Sequence, residues 1–133
     1  MSDTIEAAII AAGATVGPRI TPGAVEANIA SESYFTAADG VLGASAGKPG
    51  ASLLPEYVTH AGSPLSLLTF CVLELRNGFT VTGESACASP ENFNADIGKR
   101  IARQNAIAKV WPLMGYELRT QIAEQADPNG RLI

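Results

Sequence analysis

The sequence predicts an α+β fold in which a small antiparallel sheet, built around a β-hairpin, packs against C-terminal helices. Residues 65–75 are largely apolar on both alternating faces, an Asn-Gly pair stands at 77–78, and residues 79–86 alternate again. This pattern is typical of two strands joined by a tight turn. From 93 to 125 the apolar residues recur instead at helical spacing. An isolated hairpin is barely stable, so a third strand is needed, and the aromatic stretch 33–36 is the best candidate.

The composition indicates one domain covering residues 1–133. The formal net charge is −4 at pH 7, which disfavours non-specific binding to DNA or RNA. Neither a signal peptide nor an apolar run of the ~20 residues needed to cross a bilayer is recognisable. We therefore expect a cytosolic protein without a membrane partner, in which Cys71 and Cys87 stay free.

Residues 1–31 are expected to form a light helical arm. A first short helix is predicted over 3–12. A second begins at Thr21, a capping residue followed by proline, and has Val25 and Ile29 on its apolar side. Each helix is too short to be stable alone, so the arm must dock on this domain or on another subunit.

Residues 37–64 are rich in Gly, Ala, Ser and Pro and show no sustained period. This composition predicts a long variable loop, with a short turn near Leu53 and Leu54. The loop is either a lid over a ligand or a variable insertion at the surface, and we favour the insertion.

Residues 65–126 hold the hairpin and the helices. One face of the first strand is expected to carry Thr69, Cys71, Leu73 and Leu75, and the other Leu68, Phe70, Val72 and Glu74. Because both faces are largely apolar, we expect this strand to be buried on both sides, by a helix and by a second subunit.

A helix is predicted to begin at Ser89, where a serine cap precedes proline and glutamate. Its apolar face is expected to consist of Phe93, Ile97, Ile101, Ala108 and Trp111. Pro112 either kinks this helix or begins a new one. Helix continues in either case to about Gln125, before the stop signal at 127–130.

No catalytic constellation is recognisable. The single histidine, His60, lies in the Gly/Pro-rich loop and is expected to be an exposed bystander. Cys71 and Cys87 lack the spacing of a metal site; Cys71 is expected in the core, and Cys87 to be packed or capped rather than reactive. We therefore predict that the chain is not an enzyme, and that it needs no cofactor and no metal.

Three cations, Lys99, Arg100 and Arg103, cluster on the main helix of this acidic chain. Arginine grips phosphate through a rigid fork. Asn92 and Phe93 lie one to two turns earlier, near a helix N-terminus that attracts anions. An amide, a ring and arginines are what a small nucleotide needs. The alternative is a solvated helix face with Phe93 in the core, which the residues alone favour.

The run TFCVLELRNGFTVTGESACASPENF, followed by DIGKRIARQNAIAKVWPLMGYELR, resembles a family of small tailed-phage and prophage proteins. The resemblance covers about 65–120 and extends weakly to ITPGAVEANIASESYFTAADG. The family is identified as including Thoeris anti-defence proteins. These sponges bind the cyclic ADP-ribose-type signal made by a bacterial TIR protein without cleaving it. Some also bind cyclic oligonucleotides of CBASS immunity.

The resemblance implies a sponge in the host cytoplasm that assembles as a homodimer or a hexamer, with ligands at subunit interfaces. It supports Arg100, Arg103, Asn92 and Phe93 as ligand-binding residues, with Lys99 and Phe79 as secondary candidates. Two other functions stay open. One is a non-enzymatic phage accessory protein that binds a host or virion protein. The other is a nucleotide hydrolase, for which the sequence offers no convincing general base or metal site.

Overall fold

The computed structural model describes residues 3–49, 60, 62–127 and 129. The fold is α+β, as predicted: a three-stranded antiparallel sheet in the order β1-β2-β3 packs against one long C-terminal helix. The elements are α1 (Asp3–Ala11), α2 (Pro22–Ala27), β1 (Ile29–Thr36), α3 (Ala37–Ser45), β2 (Leu68–Leu75), β3 (Thr80–Ala86) and α4 (Ala95–Ala126). Short 3-10 turns span Pro64–Leu67 and Pro90–Asn92. No described helix is long and apolar enough to cross a membrane.

The predicted hairpin between β2 and β3 is confirmed. The Leu75 N–H donates to the Phe79 carbonyl at 2.8 Å, and the Phe79 N–H donates to Asn77 Oδ1 at 2.9 Å. Gly78 has a φ of 89°, a left-handed conformation that glycine adopts without steric cost. The turn chemistry therefore fixes the register of the hairpin, in which Cys71 stands opposite Gly83.

The third strand is also confirmed, and it is longer than predicted. β1 pairs with β2 over Ile29–Thr36, with a register shift between Ile29 and Ser31. Ile29 thus belongs to the sheet and not to the second short helix, which begins after its Thr21 cap as predicted but ends at Ala27. Tyr34 stands opposite Cys71, so its side chain lies on the α4 side of the sheet.

The arm docks on its own domain. Val25 of the arm lies in the hydrophobic core, and Ile20 packs against that core. Within the arm, Arg19 and Glu6 form an ion pair at 2.5 Å. Ile9 of α1 and Trp111 of α4 line one cavity together with Ile20, so α1, the predicted first helix, lies beside α4.

The buried face of α4 is not the predicted one. The helix residues that the sheet covers are Gly98, Ala102, Ala106 and Val110. They pack on a core formed by Val25, Cys71, Leu73, Leu75 and Val81. Ile97 and Ile101 are 53% and 42% exposed, so the prediction that they face the core is wrong.

The reason is the close approach of α4 to β3. A Cβ built on Gly83 would lie 2.1 Å from the Ala102 carbonyl oxygen and 2.3 Å from the Ala106 nitrogen. The helix backbone therefore rests directly on the glycine of the strand, and side chains larger than alanine do not fit between them.

Three further element boundaries differ from prediction by more than one residue. Part of the predicted loop 37–64 is α3, which begins with a capping box between Thr36 and Asp39; the predicted turn at Leu53 and Leu54 lies outside the described residues. The strand predicted from 65 begins at 68, after a 3-10 turn.

The third difference is the start of the main helix. α4 begins at Ala95, because the Asn94 side chain accepts the Ile97 N–H at 3.0 Å. Ser89 precedes only a 3-10 turn and makes no side-chain cap bond. Helix through Pro112 is confirmed, and it is one continuous helix to Ala126.

The two faces of β2 differ in burial. Thr69, Cys71, Leu73 and Leu75 are buried towards α4, whereas Leu68, Phe70 and Val72 are half-buried and Glu74 is exposed. On the outer face the rings of Phe35 and Phe70 lie 5.6 Å apart. The described chain therefore buries one face of this strand fully, and the second subunit expected on the other face stays a prediction.

Candidate functional site

A cation cleft opens between β1 and the first turns of α4. It is lined by Tyr34, Asp96, Lys99, Arg100 and Arg103 and has a volume of about 420 Å³. Residues three and four apart share one face of a helix, so the four α4 residues line a single flank. The pairing of β1 with β2 brings Tyr34 to this flank.

Arg103 is held by two carboxylates. Its Nη1 and Nη2 donate to Glu26 of α2 at 3.0 and 2.6 Å, and its Nε donates to Glu32 of β1 at 2.7 Å. These bonds raise the pKa of Arg103, and the hydrogen bond from Arg103 lowers the pKa of Glu26. The guanidinium therefore ties α4 to α2 and to β1, and both of its hydrogen-bonding edges are occupied in the ligand-free chain.

Tyr34 forms the wall of the cleft opposite the cations. Its hydroxyl donates to Glu32 Oε2 at 3.2 Å, and its ring centroid lies 6.0 Å from Lys99 Nζ, at the limit of a cation–π contact. Burial, with smaller contributions from Cys71 and Glu32, raises the pKa of Tyr34 to about 12. The phenol therefore stays protonated at neutral pH and can donate a hydrogen bond.

Lys99 and Arg100 are the cations of this cleft that a ligand can reach most directly. Both are exposed. Within the described part of the chain, no carboxylate oxygen lies within 4.0 Å of their charged nitrogens. Asp96 lines the same cleft, so anionic and cationic groups both face its opening.

The other three predicted ligand residues lie outside the cleft of their own chain. Asn92 is exposed in the 3-10 turn before α4. Phe93 is half-buried, and its ring reaches within 4.0 Å of the Cβ position of Gly98, which indicates a packing role. Phe79 is 54% exposed at the hairpin end, where it lines a separate cavity. Phe79 stands opposite Leu75, and Leu75 is four residues, or about 14 Å, along β2 from Cys71. Because Cys71 stands opposite Tyr34, Phe79 lies far from the cleft.

The sequence analysis missed four residues of this region: Glu26, Glu32, Tyr34 and Asp96. Asp96 carried a usable signal, because it precedes Lys99 and Arg100 by three and four residues on one helix face. Glu26, Glu32 and Tyr34 reach the cations only through the docking of α2 and the register of β1, for which the sequence contains no local signal.

Neither cysteine lines the cleft, although Cys71 contributes to the raised pKa of Tyr34. Cys71 and Cys87 are free cysteines, and Cys71 is buried mid-strand in the core, as predicted. Burial raises the pKa of the Cys71 thiol, so it is not an activated nucleophile. Cys87 is half-buried, and its thiol donates to the Ser89 carbonyl. His60 is exposed, as predicted. Among the described residues, no three His, Cys, Asp or Glu side chains are grouped so that they could hold a metal ion.

A model of a known protein family matches most of the chain. The family described as "Phage protein (N4 Gp49/phage Sf6 gene 66) family" matches residues 20–122. The matched segment holds all three strands and every residue of the cation cleft. No curated protein and no solved structure matches significantly.

Proposed function

We propose, from the premise that the chain belongs to the N4 Gp49/phage Sf6 gene 66 family of phage proteins, that it is an anti-defence sponge. In this proposal it binds cyclic ADP-ribose-type signals, cyclic oligonucleotide signals, or both, in the host cytoplasm. It sequesters them from the Thoeris or CBASS immune system without cleaving them. The resemblance described above suggests the class of ligand, and the cation cleft supports it.

The observation that carries the proposal is a cation cluster facing a tyrosine in an otherwise acidic chain. The net charge is −4, so the surface as a whole does not attract polyanions. A local cluster can still bind one compact ligand that carries two or three phosphates, because its contacts are short-range and charge-assisted. The charge distribution therefore favours a compact nucleotide signal over a nucleic-acid backbone as the ligand.

The geometry suggests a role for each side chain. Arg100 and Lys99 bind the phosphates first, since neither is engaged by a described carboxylate. The neutral Tyr34 hydroxyl donates a hydrogen bond, and Asp96 can accept one from a ribose hydroxyl. Arg103 joins when a phosphate replaces Glu26 or Glu32 on its guanidinium.

Capture without cleavage agrees with the protonation of the cleft. A general base must be unprotonated and able to accept a proton at neutral pH. Tyr34 remains protonated because its pKa is about 12. The hydrogen bond from Arg103 lowers the pKa of Glu26, which makes this carboxylate a poor proton acceptor.

The decisive experiment is a calorimetric titration with cyclic ADP-ribose isomers, cyclic di- and trinucleotides and linear ADP-ribose. The bound material is then released by heating and its mass is measured. We expect submicromolar binding of at least one cyclic species and its recovery intact. Recovery of a cleaved product would make the protein an enzyme, and no binding across the panel would refute the sponge.

Two arginines of α4 provide a matched pair of variants. Arg100→Ala removes a phosphate contact and is expected to weaken binding by about 30-fold, equivalent to about 2 kcal/mol. Arg119→Ala removes another exposed arginine of α4 that does not line the cleft, so the affinity of this variant should equal that of the wild type. Equal losses in the two variants would place the ligand elsewhere.

Arg103 needs its own test because it already has partners. Arg103→Ala is expected to cost about 2–3 kcal/mol of binding. If the guanidinium exchanges carboxylate for phosphate, Glu26→Gln should strengthen binding by removing the competitor. Asp39→Asn, a loss of the same charge on α3 outside the cleft, controls for net charge. Unchanged affinity in Arg103→Ala would remove Arg103 from the ligand contacts.

A second candidate function is the non-enzymatic accessory protein that binds a host or virion protein. The observation in its favour is an exposed apolar rim at the hairpin end, where Phe79 and Leu113 are 54% and 39% exposed and line a cavity with Met114. This function predicts a partner that co-purifies with the wild type and with Arg100→Ala but is lost with Phe79→Ser. It also predicts no binding to the nucleotide panel.

A further inference from the structure

The outer edge of β3 is open. The strand order β1-β2-β3 makes β3 an edge strand, and no described strand pairs with its outer side. The hairpin bond from Leu75 to Phe79 makes odd-numbered β3 residues the hydrogen-bonded partners of β2, so even-numbered ones point their backbone groups outward. In agreement with this alternation, the outward carbonyl of Glu84 accepts the Asn105 side chain at 2.7 Å.

β3 has few of the features that normally block an edge strand: one charged residue, Glu84, and the Asn105 side chain on the Glu84 carbonyl. Its sequence, TVTGESA, contains no lysine, no proline and no bulge, which are the usual devices against strand addition. The other edge, β1, has a register shift between Ile29 and Ser31, and such a bulge bends an edge strand away from a partner. β3 is therefore the less protected edge of the sheet.

An uncharged flank of α4 runs beside the open edge. It consists of Ile97, Ile101 and Asn105, which are four residues apart, and it ends before the exposed Lys109, which continues the same row. Asn105 bonds to β3, whereas Arg103 reaches the opposite way to β1, so this flank lies on the β3 side. Ile97 and Ile101, which sequence patterning places in the core, are exposed here.

We propose that a second copy of this chain docks on this side, with the two β3 strands pairing antiparallel about a two-fold axis at Thr82. The two sheets then form one six-stranded sheet, and the uncharged flanks of the two α4 helices face each other. In this register Thr82 stands opposite Thr82, and Glu84 of each copy stands opposite Thr80 of the other. No like charges meet, and threonine pairs are favourable across strands.

A second copy suits this surface better than an unrelated strand for two reasons. An isologous contact needs a patch that complements itself, and both the register at Thr82 and the uncharged flank meet that requirement. The surface also lies on the opposite side of α4 from Arg103 and the cation cleft. The inference is therefore independent of the proposed ligand, and either can fail without the other.

The first test is the mass in solution, measured by light scattering. The wild type should have twice the chain mass of 13.7 kDa, or a higher even multiple. Ile101→Glu and Thr82→Pro should each halve the measured mass and keep the wild-type circular dichroism, since proline at 82 removes only an outward N–H. Leu42→Glu is the matched control, because Leu42 is 39% exposed on α3, and it should keep the wild-type mass. A monomeric wild type, or an unchanged mass in Ile101→Glu, overturns the proposal.

The second test fixes the register. In a Cys87→Ser background, Thr82→Cys places two thiols opposite each other, at a Cα separation of about 5.5 Å that a disulfide can span. Thr80→Cys places them four residues apart along the strands, about 14 Å, and beyond reach. Mild oxidation should therefore give a covalent dimer for Thr82→Cys and none for Thr80→Cys. Equal cross-linking of both variants, or of neither while the mass is dimeric, overturns this interface.

Discussion

The contact between Gly83 and α4 predicts that Gly83→Ala is strongly destabilising. The new Cβ would lie 2.1 Å from the Ala102 carbonyl oxygen, whereas real Cβ atoms keep at least 3.0 Å. The obstructing atoms belong to the helix backbone and cannot rotate away, so α4 must rise by about 1 Å. A gap of that size forfeits a quarter to a half of the dispersion attraction between the helix and the core beneath it. We expect a loss of about 3 kcal/mol, the upper end for an overpacked core, out of a typical total of 5–15 kcal/mol.

The assay is urea unfolding followed by circular dichroism, at one fixed protein concentration because assembly shifts apparent stability. Gly115→Ala is the control in α4 itself. A Cβ there meets nothing within 4 Å, so alanine should stabilise the helix by about 0.5–1 kcal/mol. If Gly83→Ala unfolds within 0.5 kcal/mol of the wild type, the helix does not rest on β3 and the account of the small-residue face is wrong.

Three further predictions follow from named contacts. Arg103→Ala should lower stability only modestly, because the Arg103 side chain is 30% exposed and its partner Glu26 is 53% exposed. The folded-state pKa of Glu26 is lowered, so its contribution is present above pH 4.5 and lost as pH falls through the lowered value. Unfolding curves of variant and wild type should therefore converge in acid, and a constant difference down to pH 3 would contradict the pairing. Leu73→Asp should abolish folding or assembly, since Leu73 is fully buried and an unpaired carboxylate there is costly; a soluble variant with wild-type dichroism and size would argue against it. In a spectrophotometric titration one of the three tyrosines should ionise near pH 12, and Tyr34→Phe should remove that step; the stability due to Tyr34 is present below pH 10 and lost as pH rises towards 12.

The hairpin and the C-terminal end of α4 could be predicted because their signals are local. Asn77 and Gly78 satisfy the backbone needs of the turn by themselves, and period-two alternation on each side leaves one register. Helix through Pro112 likewise follows from apolar residues at helical spacing on both sides of the proline. Predicting these features requires no information about tertiary packing.

The orientation of α4 could not be predicted from hydrophobic size. Periodicity places Ile97 and Ile101 on one face and Ala102 and Ala106 on another, but it does not say which face meets the sheet. The deciding residue is Gly83, which stands 19 positions before Ala102 and lets the strand touch the helix backbone. Glycine inside a strand signals close approach of another backbone, and small residues at intervals of four on the helix are its counterpart.

The candidate site shows the same division between features with a local sequence signal and features set by tertiary packing. Helical spacing brings Lys99, Arg100 and Arg103 together, so the cation cluster was visible in the sequence. Tyr34 and Glu32 lie beside this cluster only because of strand pairing, and their side chains change the chemistry of the site. Glu32 forms an ion pair with Arg103. We therefore expect a phosphate to contact Arg100 and Lys99 first.

The small-residue face of α4 also explains why the two proposed surfaces are separate. Arg103 and Ile101 are two residues apart, or about 200° around the helix, and the buried stripe of Ala102 and Ala106 runs between them along the sheet. One flank therefore carries charge over β1, and the other carries apolar residues beyond β3. A large apolar core face would have drawn the isoleucines inward and left no uncharged surface beside the open strand. Close packing on Gly83 displaces them, so the feature that misleads sequence patterning is also the one that exposes the surface proposed for the second copy.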